Sequence, residues 1–364
     1  MRQMERIDTD LFTPLTFLGM MSGTSLDGLD LALCDFWKDD GKFRYKIVKT
    51  QTFAYSQTLT QKLRTLFDSN ALDFCHTEVE FSTFMAQCVS QFLENVEKKP
   101  QYIASHGHTV FHQPDKGLTK QIGSGAILAA KTGIATISDF RTGDVALGGQ
   151  GAPLVPIGDA LLFSEYDACL NLGGISNISR GNLTNRKAYD ISLCNIPLNF
   201  LAEQCGVFYD KNGELAQRGK INPELLEALN RPDYFLKIGA KSIGFELFAK
   251  YYKPLLDSFS ISVEDKLRTV CEHIALQIAN NLKDLKTILV TGGGAKNQYL
   301  INLIKEKTDS QIIIPEEQLI DFKEALIFAF LGYLRVFEAN NCLRSVTGAI
   351  KDYCGGAIYI GRGV

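Results

Sequence analysis

Apolar and polar positions follow the same order at the start of each half of the chain. An apolar run at 15–21 predicts a strand, the small and polar residues after it predict a tight turn, and alternating leucines at 29–33 predict a second strand. The order returns at 168–172 with a strand, followed by a turn at Gly173-Gly174 and a second strand at 175–179. This internal repeat is one of topology and not of residue identity.

Helices and strands alternate after each of these openings. We predict third strands at 46–55 and ending at 189–190, shorter strands at 101–105, 134–137 and 287–290, and helices at 57–67, 78–96, 126–131, 196–205, 224–229, 245–256, 263–282, 297–306 and 323–338. Such alternation predicts an α/β protein made of two related lobes with a cleft between them. We expect an N-terminal lobe at 1–138, to which the tail at 357–364 can return, and a C-terminal lobe at 139–356.

Composition and charge narrow the class of protein. The 364 residues are 45% hydrophobic and 22% charged, which is ordinary for a globular protein with a substantial core. A formal net charge of −3 argues against nucleic-acid binding, and no apolar stretch is long enough to cross a membrane. Residues 1–13 lack the apolar core of a signal peptide, and nine scattered cysteines favour reduced thiols, so we expect a cytoplasmic protein.

Three glycine turns follow apolar strands, at 22–28, 173–176 and 292–295. Open α/β sheets bind ligands at the carboxyl ends of their strands, and such turns offer backbone N–H groups to phosphate oxygens. The carboxylate of Asp27 is suited to a hydrated Mg²⁺. Each turn alone is explained by an ordinary connector, but three at corresponding positions favour phosphate binding. The chain has no G-x-x-x-x-G-K-[ST] loop, so a nucleotide would be bound by turns of the paired-lobe kind.

Three of the five histidines lie within 106–112. His106 and His108 can share a strand face as zinc ligands, but the segment offers no convincing third ligand besides His112. Imidazoles and hydroxyls suit sugar or carboxylate groups, so we favour a substrate pocket; histidines bonded to the backbone of a loop are the alternative. Arg141, after the strand at 134–137, can bind a carboxylate or phosphate through two N–H groups, or pair with Asp139.

Two carboxylates are candidate functional groups. Asp190 ends a predicted strand, where it can act as a general base for water or a hydroxyl. Glu324 stands at the head of the last predicted long helix and is a candidate ligand contact. The alternatives are a turn or helix N-cap role for Asp190, and for Glu324 a first-turn partner of the helix dipole.

Several long segments together resemble the anhydro-N-acetylmuramic acid kinases, a branch of the actin- and hexokinase-like ATPase superfamily, over residues 17–361. The segments are Gly-Met-Met-Ser-Gly-Thr-Ser-Leu-Asp-Gly at 19–28, Ser-His-Gly-His-Thr-Val-Phe-His at 105–112, Asp-Phe-Arg at 139–141, Ala-Leu-Gly-Gly-Gln-Gly-Ala-Pro-Leu-Val-Pro at 146–156, Asn-Leu-Gly-Gly-Ile-Ser-Asn at 171–177, Thr-Gly-Gly-Gly-Ala-Lys-Asn at 291–297, Glu-Ala-Leu at 324–326 and Ser-Val-Thr-Gly-Ala at 345–349. They occur in the family's order, which makes the resemblance specific.

The resemblance implies a two-lobed actin-like ATPase fold of duplicated ribonuclease-H-like domains. Enzymes of this family cleave the 1,6-anhydro bridge of anhydro-N-acetylmuramic acid with water and transfer the γ-phosphate of ATP to O6. The product is N-acetylmuramic acid 6-phosphate, in peptidoglycan recycling. For this chain the resemblance implies ATP and Mg²⁺ as cofactors, a small amino-sugar substrate and a homodimer, with neither nucleic acid nor a membrane as partner.

The family's residue roles carry over to matching positions. Asp190 corresponds to the catalytic aspartate, which takes a proton from the water that attacks C1. The sugar pocket corresponds to His106, His108, Arg141 and Glu324. The ATP-binding positions are Gly19, Ser22, Gly23, Thr24, Ser25, Asp27 and Gly28 at the β- and γ-phosphates, Gly173 and Gly174 in the second phosphate loop, and Gly292, Gly293 and Gly294 beside the adenosine.

Two positions depart from the family's pattern. The family has Thr-Gly-Pro-Gly-Asn after the catalytic aspartate, whereas this chain has Ile-Ser-Leu-Cys-Asn at 191–195, and His108 stands in place of a glutamine. The first change alters the turn that aims the aspartate, and the second alters a donor and acceptor in the sugar pocket. Two other functions therefore stay open: a kinase for another amino sugar, and a catalytically silent sensor that binds a nucleotide or muropeptide.

Overall fold

The computed structural model describes residues 14–23, 26–237 and 241–361. The chain forms two compact units: unit 1 is Met1–Leu162 with Phe322–Val364, and unit 2 is Phe163–Asp321. This division differs from the expected boundary after residue 138. Residues 139–162 and most of the last long helix belong to unit 1 because they pack against elements of the first sheet.

The secondary structure alternates strands and helices along the described residues, with short 3₁₀ turns between several of them. The strands are β1 (Leu15–Ser22), β2 (Leu29–Asp39), β3 (Lys42–Phe53), β4 (Tyr102–Gln113), β5 (Leu118–Ile122), β6 (Ala135–Ser138), β7 (Ala168–Leu172), β8 (Ile175–Arg180), β9 (Lys187–Leu193), β10 (Thr287–Thr291), β11 (Gln311–Ile313) and β12 (Ala357–Tyr359). The α-helices are α1 (Gln57–Thr65), α2 (Ala71–Phe92), α3 (Gly125–Thr132), α4 (Thr142–Ala146), α5 (Val155–Leu162), α6 (Asn195–Glu203), α7 (Glu214–Arg218), α8 (Pro223–Asn230), α9 (Phe245–Leu247), α10 (Lys253–Ser258), α11 (Val263–Asn281), α12 (Gln298–Glu306), α13 (Glu317–Val336) and α14 (Arg344–Thr347).

The two sheets share one topology. The sheet of unit 1 has the strand order β12-β6-β4-β1-β2-β3, with β5 paired to β4, and the sheet of unit 2 has the order β11-β10-β7-β8-β9. In each sheet the first three strands of the repeat form an antiparallel meander. Two further strands then run parallel to the first strand on its other side. The predicted α/β class and the duplicated ribonuclease-H-like topology are therefore confirmed. The tail returns to unit 1, where β12 pairs with β6.

In unit 1 the sheet carries helices on both faces, because side chains of a strand alternate between them. Phe17 of β1 packs on Tyr333 of α13, with 5.8 Å between ring centroids. Its neighbour Leu18 lies in the cluster formed with Phe81 and Met85 of α2. Gly19 faces α13 again, and a Cβ there would collide with the carbonyl oxygen of Ala325 and lie 2.9 Å from the Ala329 nitrogen. The close approach of α13 to β1 thus requires glycine at this position.

Three elements extend further than the sequence predicts. β4 continues from Tyr102 through the histidine segment to Gln113 and forms a hairpin with β5, which the sequence did not predict. β9 continues beyond Asp190 because Ile191 and Leu193 are fully buried in the core of unit 2. Asp190 is therefore inside a strand, and the N-cap alternative for it is wrong. The last long helix begins at Glu317 and not at 323, so Glu324 is two turns inside it and is not a first-turn partner of the helix dipole.

Within the described residues, no helix is both long and apolar enough to span a membrane. All nine cysteines lie in the described ranges as free thiols, and six of them are buried.

Candidate functional site

In unit 1, one cluster joins two of the predicted sugar-pocket residues, His106 and Arg141. His106 of β4 lies on the side of α13, with its ring 4.7 Å from that of Phe328. Its Nε2 accepts hydrogen bonds from Arg141 Nη2 at 2.9 Å and Nε at 3.2 Å. Its Nδ1 lies 2.9 Å from the Gly107 carbonyl oxygen. Because Nε2 accepts, Nδ1 carries the proton and donates to that carbonyl, which makes His106 a neutral imidazole.

The electrostatics of this cluster support the same protonation states. Burial lowers the pKa of His106 well below its ordinary value, and the charge of Arg141 lowers it further. Burial also lowers the pKa of Arg141 to about 10, against the opposing effect of Glu324, so the guanidinium is cationic at neutral pH. Partial loss of hydration raises the pKa of Glu324, an effect that Lys323 and Arg141 oppose, although the residue keeps an exposed surface on α13.

A buried carboxylate fixes the loop that positions Arg141. Arg141 Nη1 donates to the Gly151 carbonyl at 2.6 Å, and the Gly151 N–H donates to Asp144 Oδ2 at 2.8 Å. Asp144 Oδ1 accepts from the hydroxyl of Thr347 at 2.8 Å and the thiol of Cys342 at 3.1 Å. Asp144 lies three positions after Arg141 in the chain, but no local pattern marks its role. Its partners lie up to 203 residues away in the chain.

His108 does not join this cluster. Its ring lies 6.1 Å from that of Phe81 in α2, whereas His106 faces α13. Gly107 between them has φ +74°, which breaks the alternation that would have put both histidines on one face. The suggestion that they share a strand face is therefore wrong, and the described residues hold no group of three His, Cys, Asp or Glu suited to a metal.

His108 instead belongs to a short hydrogen-bond chain at the end of β1. The Tyr55 hydroxyl donates to Ser22 Oγ at 2.7 Å, and Ser22 Oγ lies 2.9 Å from His108 Nδ1. Burial lowers the pKa of His108 to about 4, so the ring is neutral at pH 7. The Ser22 hydroxyl, predicted to hold phosphate, is thus engaged by two protein groups.

The first glycine turn connects β1 and β2. The Leu26 N–H approaches the Gly23 carbonyl oxygen at 3.5 Å, and Leu26 has a left-handed φ of 59°. Asp27 is exposed in this turn, and a Cβ on the buried Gly28 would lie 2.8 Å from the Phe53 carbonyl oxygen. Gly19 lies inside β1, not in the turn. The predicted phosphate contacts Thr24 and Ser25 lie outside the described residues.

An exposed carboxylate in such a turn suits Mg²⁺, which proteins commonly bind through one or two carboxylates together with substrate phosphates and water. Asp27 is the residue of the turn that supplies this donor chemistry. The donor set therefore fits a magnesium ion carried mainly by the nucleotide.

In unit 2 the other two glycine turns lie side by side. They follow β7 and β10, which are parallel neighbours, so both are at carboxyl ends of strands. A Cβ on Gly292 would lie 3.0 Å from the Leu172 carbonyl carbon, and one on Gly294 would lie 2.8 Å from Leu172 Cβ. Asn195 Nδ2 donates to the Leu172 carbonyl at 3.0 Å. Two of the three predicted phosphate turns are thus brought together, with an amide side chain beside them.

The Gly173-Gly174 turn also anchors α6. The N–H of Cys194 donates to the Gly174 carbonyl at 2.8 Å, and that of Asn195 donates to the Gly173 carbonyl at 3.1 Å. These bonds satisfy backbone donors at the start of the helix, which has no side-chain cap. The turn is therefore tied by two backbone hydrogen bonds to the first residues of α6.

Asp190 lies in β9 opposite Asn177 of β8. Its Oδ2 accepts from the Ile243 N–H at 3.0 Å and the Ser242 hydroxyl at 3.1 Å. Burial raises the pKa of Asp190, and these two hydrogen bonds oppose the rise. The backbone of Asp190 is also bound, by the Tyr234 hydroxyl at 2.6 Å and the Lys241 carbonyl at 3.0 Å. Sequence reasoning missed these partners because no local pattern marks them.

Comparison with known proteins shows one family whose members match this chain over nearly its whole length. The family model described as anhydro-N-acetylmuramic acid kinase matches residues 15–361. The chain is 37% identical to the anhydro-N-acetylmuramic acid kinase of Mannheimia succiniciproducens, over 94% of this chain and 98% of that protein. It is 36% identical to the protein of that name from Haemophilus influenzae, over 95% and 98%. It is 34% identical to that from Sulfurimonas denitrificans, over 94% and 99%.

Proposed function

The chain belongs to the anhydro-N-acetylmuramic acid kinase family, and we propose that it hydrolyses the 1,6-anhydro bridge of anhydro-N-acetylmuramic acid and phosphorylates O6. It is a sugar kinase that uses ATP. The product is N-acetylmuramic acid 6-phosphate. The observation that carries this proposal is the family match over 15–361, and the role of Asp190 within it is carried over from the resemblance.

We assign the role of general base to Asp190. Oδ2 is held by two donors, so Oδ1 is the oxygen that takes the proton from the attacking water. C1 gains oxocarbenium character as the bridge opens, and a carboxylate of modestly raised pKa suffices for that step. The bridging oxygen leaves C1 and becomes O6 of the sugar, which then accepts the phosphoryl group.

We assign sugar binding to Arg141, His106 and Glu324. The guanidinium of Arg141 is fixed by His106 and Gly151 and suits the carboxylate of the muramic acid. The carboxylate of Glu324 can accept hydroxyl or amide donors. We assign His108 to the sugar pocket as well, from the family resemblance; its Nδ1 lies 2.9 Å from the Ser22 hydroxyl at the end of β1.

We assign phosphate binding to the glycine turns. Turn residues Ser22 to Gly28 in unit 1 and Gly173-Gly174 in unit 2 offer backbone groups for phosphate oxygens, and Gly292 to Gly294 border the adenosine. Asp27 would hold Mg²⁺ through water, and the ion would supply positive charge against the transferring phosphoryl group.

We further propose a homodimer in the cytoplasm that acts in peptidoglycan recycling. Nine free thiols support a reducing compartment. The dimer is proposed from the family resemblance, and light scattering of the purified protein measures it.

The test compares Asp190→Asn with the unaltered protein for ADP release that depends on the sugar. We expect the variant to lose at least 1,000-fold in rate, about 4 kcal/mol, because an amide cannot take the proton. Asp257→Asn, a change at an exposed aspartate of α10, is the control and keeps the rate. Retention of the rate by Asp190→Asn contradicts the assignment of the base.

A further inference from the structure

Asp190 is gripped by residues that lie 44 to 53 positions further along the chain. The Tyr234 hydroxyl donates to the Asp190 carbonyl, and the Asp190 N–H donates to the Lys241 carbonyl. The Ser242 hydroxyl and the Ile243 N–H both donate to Oδ2. We call Tyr234, Lys241, Ser242 and Ile243 the Asp190 clasp. The clasp binds the backbone carbonyl and N–H of Asp190 and the Oδ2 atom of its side chain.

The strand that carries Asp190 is irregular at the same point. Asn177 of β8 pairs with Asp190, but the preceding Ser176 pairs with Ser192, so Ile191 is an extra residue in β9. Such a bulge redirects the neighbouring side chain. Ile191 is fully buried in the core of unit 2, whereas Asp190 is half-buried and turned to the clasp. The bulge and the clasp together therefore fix the orientation of the Asp190 carboxylate.

The two donors on the side chain both bind Oδ2. Within the described ranges, Oδ1 carries no hydrogen bond from the protein. A carboxylate held in this way presents one defined oxygen to a proton donor, because rotation about the Cβ–Cγ bond would break two hydrogen bonds.

We propose that the Asp190 clasp is a positioning device for the general base, in which Ser242 and Tyr234 hold Asp190 so that Oδ1 receives the proton of the attacking water. This inference rests on the proposed function of Asp190 as base. Ser242 and Tyr234 act through Asp190 and not on the reacting atoms, so both are positioning residues. Residues 191–195 differ from the family's pattern, and in this chain the clasp orients the aspartate instead.

The charges around the clasp are consistent with this role. The hydrogen bonds from Ile243 and Ser242 hold the pKa of Asp190 down against the effect of burial. The other titratable groups of the clasp are the phenol of Tyr234, whose pKa is raised by burial and by Asp190, and the ammonium of Lys241, which lies 4.6 Å from the centre of the Tyr234 ring. Removing the Ser242 hydroxyl removes one donor that favours the ionised carboxylate, so the base would titrate at higher pH.

The experiment measures kcat/KM against pH for the full chain with anhydro-N-acetylmuramic acid and Mg-ATP. Ser242 is exposed, so Ser242→Ala is expected to fold normally. We expect the acid limb of its kcat/KM profile to move to a pH about one unit higher. At pH values below that limb, kcat/KM is then about tenfold lower than in the unaltered protein, with KM for ATP unchanged. Ser242→Thr keeps the hydroxyl and restores the profile. Tyr234→Phe lowers kcat without changing KM for ATP.

Two further variants separate the possible failures. Ser258→Ala removes an exposed serine hydroxyl bonded to a helix carbonyl in α10 and should keep the original profile. If Asp190→Asn is inactive but Ser242→Ala and Tyr234→Phe keep the original rate and profile, the clasp inference is overturned and the base assignment stands. If Asp190→Asn is active, the base assignment fails, and the clasp inference fails with it.

Discussion

Replacement of Gly19 by alanine tests how closely α13 is fitted to β1. The new Cβ would overlap the carbonyl oxygen of Ala325 and lie 2.9 Å from the Ala329 nitrogen, where ordinary contacts are 3.4–4 Å. Both obstructing atoms are helix backbone, so a rotamer change cannot relieve the clash and α13 has to move. Overpacking typically costs about 1–3 kcal/mol, and we expect about 3 kcal/mol here. The same displacement moves Glu324, which precedes Ala325, so KM for the sugar rises as well.

The assay exploits the single tryptophan of the chain. Trp37 lies in β2, so its fluorescence in a urea titration reports the unfolding of unit 1. With a slope of about 3 kcal/mol per molar urea, the expected loss lowers the midpoint by about 1 M. The control is Gly41→Asn in the β2–β3 turn, where nothing lies within 4 Å and asparagine tolerates the left-handed φ of 72°. An unchanged midpoint for Gly19→Ala would refute the packing argument.

Three other changes test separate parts of the structure. Asp144→Ala leaves the buried Gly151 N–H without its acceptor and removes the shorter of the two hydrogen bonds of the Thr347 hydroxyl. The free energy of unfolding should therefore fall by about 2–3 kcal/mol, which lowers the urea midpoint of Trp37 fluorescence by about 1 M. Arg141→Lys keeps the charge but loses the planar fork that binds His106 and Gly151, and steady-state kinetics should show KM for the sugar raised at least tenfold with KM for ATP unchanged. Burial lowers the pKa of His273 to about 3, so below pH 6.5 the unfolded chain binds a proton that the folded chain does not, and stability falls as pH falls. Between pH 7 and 5 the loss is about 2 kcal/mol in unit 2, seen by hydrogen exchange of α11 and absent in His273→Gln.

The repeated topology could be predicted from the sequence because its signals are local. A strand, a glycine turn and a second strand at 15–33 and again at 168–179 are visible in short windows, and the structure has both meanders. The ends of elements were less predictable. β9 continues past Asp190 because the apolar Ile191 and Leu193 are buried in the core. α13 begins nearly two turns before the predicted start.

The arrangement of side chains depended on contacts that no local window contains. The separation of His106 from His108 follows from the left-handed Gly107 between them. The hold of Asp144 on Thr347 and the clasp on Asp190 join residues far apart in the chain. Periodicity can place such residues on elements, but it cannot say which distant donor will reach them.

The most direct test of the proposed reaction is the mass of its product. The protein is incubated with Mg-ATP and 1,6-anhydro-N-acetylmuramic acid in ¹⁸O-labelled water. We expect a 6-phosphosugar that carries one ¹⁸O at C1, because water opens the bridge and the bridging oxygen stays on C6. A phosphosugar without ¹⁸O at C1, or no phosphosugar from a folded protein that binds ATP, would contradict the proposed reaction.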